Sequence, residues 1–171
     1  MTQPWSKPVL LHELGRGPVS LTLEPDAAER AKVAKDLGLE SLPVLKAQLT
    51  LKSWMDGVEI TGRFDAVVVQ VCAVSLDPFE HPLVGEIEVR AVPQGSPQAP
   101  DAAGGEVDYD PESPDPPDVL QGEAIDIAGY VVEHLALEID PFPRKPGAVF
   151  EPPKAEEEAS PFAVLKRLKP D

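Results

Sequence analysis

The sequence predicts an α+β protein in which a curved antiparallel sheet is packed by two main helices and a short C-terminal helix. Three observations carry that reading. Three β-patterned segments follow one another between residues 43 and 93 with short connections, helical signals flank them near 25–37 and 126–139, and the stretch 160–168 combines a helix start, an apolar stripe and a basic end. Short connections make neighbouring strands antiparallel, and continued curvature would lead such a sheet towards a small barrel.

Taken in order, Val19 to Leu23 alternates weakly and reads as a short strand after a proline-containing lead. Pro25 and Asp26 then open a helix that Ala27, Ala28, Ala31 and Ala34 favour, and Gly38 supplies a left-handed cap after Leu37. Its charges, Glu29, Arg30, Lys32, Lys35 and Asp36, read as a solvated face. In Val44 to Trp54, Leu45, Ala47, Leu49 and Leu51 alternate with Lys46, Gln48, Thr50 and Lys52, so this strand has one wet face. Asp56-Gly57 suits a tight hairpin whose central positions both need positive φ.

Val58, Ile60, Phe64, Ala66 and Val68 share one parity of the next strand, which extends to Val74, with Gly62 a candidate bulge. Val67, Val69 and Val71 fill the other parity, which predicts that the second half is covered on both faces. Cys72 reads as a small apolar residue of this strand. Asp77-Pro78 breaks the strand, and Leu83 to Val92 returns with Leu83, Ile87, Val89 and Ala91 inward. Asp126 is the N-cap of a helix whose Ile127, Tyr130, Val131, Leu135, Leu137 and Ile139 are too apolar for exposure on all sides, so it covers the sheet, and Pro141 ends it.

Residues 1–171 read as a single domain interrupted by two polar segments. The loop 94–123 holds eight of the thirty acids and no base, within a formal net charge of -15. Seven prolines and four glycines between 93 and 123 leave it little to bury, which predicts a loosely tethered acidic arm. The tether 141–159, with five prolines and Glu156-Glu157-Glu158, leads to the terminal helix 160–168. There Ser160 is the N-cap, Pro161 takes the first helical position, Phe162, Leu165 and Leu168 line one face, and Lys166, Arg167 and Lys169 complement the dipole at the far end. So short a helix persists only by burying that stripe on its own domain or on a partner.

No run of 18 apolar residues and no leader pattern is present, so a soluble cytoplasmic protein with no membrane contact is expected. The single Cys72 and the scattered His12, His81 and His134 lack metal-ligand spacing, and neither a phosphate-cradling loop nor a nucleophile elbow occurs. The expectation is a protein without cofactor, metal or catalytic residues. An acidic field repels phosphate backbones and attracts basic proteins. Candidate partner-binding residues are therefore Asp108, Asp110, Glu112, Asp115 and Asp118 of the acidic arm, with Phe162, Leu165 and Lys166 of the terminal helix. The alternative is a direct RNA-binding module using a weak basic patch of the strand residues Lys46, Lys52, Arg63 and Arg90.

The tail Pro161-Phe162-Ala163-Val164-Leu165 through Leu168-Lys169 resembles the closing signature of the bacterial YceD family, the large ribosomal RNA subunit accumulation proteins. Three further landmarks agree in order: Val71-Cys72-Ala73-Val74-Ser75-Leu76-Asp77-Pro78-Phe79, an acidic interruption, and the helix from Ile125-Asp126-Ile127 to Ile139-Asp140-Pro141. Many relatives carry Cys-x-x-Cys at the first landmark, whereas Cys72 is followed here by Ser75, which leaves a metal or redox role without its second sulfur. The resemblance implies a role in accumulation or processing of large-subunit (23S) ribosomal RNA and in large-subunit assembly. It also suggests a partner, a large-subunit ribosomal protein or a pre-ribosomal particle, and the acidic charge favours reaching ribosomal RNA through such a protein over direct contact.

Overall fold

The computed structural model describes residues 4–100 and 115–150. In chain order its strands are β1 (Pro8–Leu10), β2 (Val19–Leu23), β3 (Ser41–Trp54), β4 (Gly57–Val71), β5 (Pro78–Pro93), β6 (Asp118–Leu120) and β7 (Ala124–Asp126). Its helices are α1 (Ala27–Asp36) and α2 (Ile127–Glu138), with a 3-10 helix at Leu11–Arg16. The main sheet has the order β2-β3-β4-β5-β6, antiparallel except for the parallel β5–β6 pair, and β1 and β7 form a separate antiparallel pair. The fold is therefore α+β as the sequence predicts, but the sheet stays open and does not reach a barrel. Among the described residues no helix is long and apolar enough to cross a membrane.

One face of the sheet carries the core. Leu45, Ala47, Leu49 and Leu51 of β3, Val58, Ile60, Phe64, Ala66 and Val68 of β4, and Leu83, Ile87 and Ala91 of β5 are buried with Val33 and Ala34 of α1 and Ile127, Val131 and Leu135 of α2. Each fully buried side chain of this size contributes about 1.5–3 kcal/mol, so the period of two read from the sequence fixes which face the helices cover. α1 packs on β3 and α2 on β5. Asp26 caps α1 in a reciprocal box: its carboxylate accepts the Glu29 N–H at 2.8 Å, and the Glu29 carboxylate accepts the Asp26 N–H at 2.8 Å. Glu29 thus belongs to the helix start and not merely to a solvated face. Gly38, at φ 68, closes α1 as expected.

Several expectations are corrected by tertiary contacts. The β3–β4 turn centres on Met55 and Asp56, because Trp54 pairs with Gly57, and of the residues there only Met55 has positive φ, at 53. Gly57 is a strand residue instead, needed because a Cβ there would meet the Ala91 carbonyl oxygen and lie 2.9 Å from Val92 Cα. Gly62 is no bulge, since the β3–β4 register runs unbroken past it and shifts only between Ser41 and Val44. It marks a close approach, where a Cβ would meet the Gln48 carbonyl and Leu49 Cα. Leu137 points outward at 82% exposure.

The acidic loop also contains structure that composition hides: β6 and the start of the β7 arch lie near or inside 94–123, while residues 101–114 are outside the described set. β6 forms because β5 offers a free edge to it at Ala91–Pro93, a partner that no local pattern announces. The β1–β7 pair is equally nonlocal. Asp126 holds it in place by accepting the Lys7 N–H at 2.7 Å and the Ala128 N–H of α2 at 3.2 Å, so one carboxylate caps the helix and ties down the first strand.

Candidate partner-binding surface

The helices leave the other face of the sheet open to solvent. Lys46, Lys52, Arg63 and Arg90 all alternate onto this face, so the fold does bring the four cations together, but it brings a carboxylate to each. Lys52 stands opposite Glu59, and Glu59 opposite Arg90; Arg63 stands opposite Glu86, and Lys46 opposite Asp65. Arg90 Nε donates to Glu59 Oε1 at 3.0 Å while its guanidinium lies 5.4 Å from the Trp54 ring centroid. Lys46 Nζ is 3.9 Å from Glu24. Exposed pairs of this kind are worth only about 0–1 kcal/mol in stability. Their larger effect is on the field, because a phosphate approaching any of these cations meets the facing carboxylate as well. The half-buried Trp54 is already stacked by Arg90 and is not a free base-stacking platform.

Negative charge collects at the β6 edge. Asp118 opens β6 and accepts the Tyr130 hydroxyl of α2 at 2.9 Å. Burial first, then this hydrogen bond and the Asp118 charge, push the Tyr130 hydroxyl above its usual range. Asp118 is shared by two adjoining clefts. One, about 420 Å³, is lined by Glu88, Val89, Arg90, Asp115 and Pro116; the other, about 350 Å³, includes Asp126, Tyr130 and Glu133. Five carboxylates thus face one edge, and Arg90, held by Glu59, is the one cation in either lining. Of the sequence-derived candidates, Asp115 and Asp118 sit here. Asp108, Asp110, Glu112, Phe162, Leu165 and Lys166 lie outside the described residues.

The connection after β4 carries one feature that the sequence reading missed. Cys72 is a turn residue, not a strand residue, and is fully covered. Its Sγ accepts backbone N–H groups from Val74 and Ser75 at 3.4 Å each and from Lys145 at 3.3 Å. The Ser75 hydroxyl, then the Ser75 and Lys145 amides, lower the thiol pKa to about 6 against the opposing effect of burial. The sulfur is therefore the acceptor that pins the segment after α2 to the β4–β5 connection, with Ala73 N–H donating to the Pro143 carbonyl at 2.8 Å and Lys145 Nζ 3.6 Å from Asp77. The contact to Lys145 spans 73 residues of sequence, which is why no spacing rule finds it. Part of the segment read as an extended tether is thereby anchored. Among the described residues no group of three or more His, Cys, Asp or Glu side chains is placed to hold a metal ion.

No curated protein and no solved structure shows significant similarity to the chain. The sequence model described as large ribosomal RNA subunit accumulation protein YceD matches residues 60–169, from Ile60 in β4 through β5, the acidic segment, α2 and the Phe162–Leu168 stripe. With nearly two thirds of its length matched, the chain belongs to the YceD family, whose name implies a part in the accumulation of large-subunit ribosomal RNA.

Proposed function

We propose that the protein supports accumulation of large-subunit ribosomal RNA, and so large-subunit assembly, as a non-catalytic cytoplasmic factor that binds a basic ribosomal protein or a pre-ribosomal particle containing one. The observation that carries this reading is the segregation of charge. The sheet face compensates its own cations, while Glu88, Asp115, Asp118, Asp126 and Glu133 line one edge. Five further acids between 101 and 112 adjoin that edge in sequence at Asp115. Such an edge engages a cationic chain through many weak contacts, speeding encounter and shielding the partner from premature RNA contact. The compensated cations disfavour direct RNA binding, because a phosphate gains little where each positive charge is already opposed.

The test neutralises the eight acids between residues 94 and 123 as Asn and Gln and measures affinity for the large-subunit protein captured from the source cell. Binding at low salt weakens at least tenfold while circular dichroism stays unchanged. Unchanged affinity, or a capture that ribonuclease abolishes, overturns the proposal.

A further inference from the structure

The open face of the sheet changes character along β4. Its first half shows Glu59, Thr61, Arg63 and Asp65, and its second half Val67, Val69 and Val71. The register sets Val44 and Pro82 on either side of Val67, Val84 beside Asp65, and Pro78 beside Val71. The sequence pattern predicts a cover over this half, yet among the described residues Val84 is 68% exposed, Val44 46% and Val71 38%. Contiguous apolar surface of this kind marks a site of contact.

We infer that residues 160–168 fold back on this patch and seat Phe162, Leu165 and Leu168 against Val44, Val67, Val69 and Val84. The segment needs an apolar surface, because a helix of about nine residues does not persist alone. The chain also leaves the described fold at the right place. Lys145 and Pro143 are pinned to Cys72 and Ala73, at the end of β4 where the valines begin. The described chain runs on to Phe150, from which ten residues to Ser160 can span up to roughly 35 Å, and Val67 lies four strand residues, roughly 13 Å, beyond Val71. Short tethers hold a segment at an effective concentration near the millimolar range, so a weak contact suffices.

Charge favours this face over the groove between α1 and β3. Exposed Glu80 stands opposite Val69, with no cation facing it among the described residues, and complements Lys166, Arg167 and Lys169. That groove, about 550 Å³ and lined by Ala31, Ala34, Leu42 and Pro43, carries Arg30 and Lys35 against the single acid Glu40, which disfavours the basic end.

The test compares amide NMR spectra of the full chain, its Leu165→Asp variant and its Val84→Asp variant, Val84 being exposed enough for the latter to keep the fold. Leu165→Asp shifts the amide signals of Val44, Val67, Val69 and Val84 and leaves α1 unmoved, and residues 162–168 exchange their amides at least tenfold slower in the native chain than in Val84→Asp. Shifts confined to the sequence neighbours of residue 165, or centred on Ala31 and Leu42, overturn the inference. So does a perturbation that vanishes on dilution, which would assign the patch to a second copy.

Discussion

Gly85 of β5 pairs directly with Phe64 of β4, and the Phe64 ring, 0% exposed, fills the space where a side chain on residue 85 would stand. A Cβ built there meets Phe64 Cε1, lies 2.6 Å from Cζ and is 3.3 Å from Glu138 Cγ of α2, so the fully buried ring, and not the exposed Glu138 side chain, is what resists it. The backbone at Gly85 has no positive φ, so Gly85→Ala carries no conformational penalty and gains about 0.5–1 kcal/mol from a less flexible unfolded chain. Against this stands overpacking, about 1–3 kcal/mol in a filled core. The net expectation is a loss of about 1–2 kcal/mol. In a Phe64→Leu background the clash is gone, and the same substitution becomes neutral or slightly stabilising, a coupling of about 2 kcal/mol in a double-mutant cycle. Urea unfolding followed by the fluorescence of Trp5 and Trp54 measures all four proteins. Additivity within about 0.5 kcal/mol would refute the claim that Phe64 and Gly85 share one space.

Asp126→Ala removes both the α2 cap, worth about 1 kcal/mol, and the charged acceptor of the Lys7 N–H, worth about 1.5–3 kcal/mol, so thermal unfolding should report a loss of about 2–4 kcal/mol. Asp126→Asn keeps the acceptor and should recover most of it; equal losses in the two variants would place the effect elsewhere. Cys72, lowered from 9.0 to about 6, contributes stability that is fully present above pH 9.0 and is lost as pH falls through about 6. The stability gap between the native chain and Cys72→Ala, read from denaturant midpoints, should therefore narrow as pH is lowered across that window, and a gap independent of pH would show that the sulfur acts only by packing.

What was legible in the sequence is what local period encodes. The inward sets of β3, β4 and β5 are buried as their alternation requires, and both helices begin within two residues of their expected caps. What escaped depends on partners distant in the chain. β6 exists because Ala91–Pro93 leaves an edge unpaired, β1 because Asp126 reaches Lys7, and the tight packing at Gly57 because Ala91 lies behind it. Proline and acid content read the loop 94–123 as having little to bury; residues 101–114 of it lie outside the described set, while Leu120 joins the core on a three-residue parallel strand that needs only main-chain partners and leaves no compositional trace. The four strand cations were found as a set, while their neutralising carboxylates were invisible without the register.

That last point bears on recognition. On a pleated face, opposite residues of neighbouring strands lie about 5 Å apart, well inside the Debye length of about 8–10 Å, so an incoming polyanion senses each cation together with a facing carboxylate, Glu59 being shared by Lys52 and Arg90. At the β6 edge five carboxylates line the two clefts, and the one arginine in those linings is held by Glu59. Among the described residues, negative charge is thus spread unevenly, the sheet cations standing opposite carboxylates and five carboxylates lining the edge clefts. If the proposed cationic partner binds there, raising the salt concentration should slow its association more than it speeds its release.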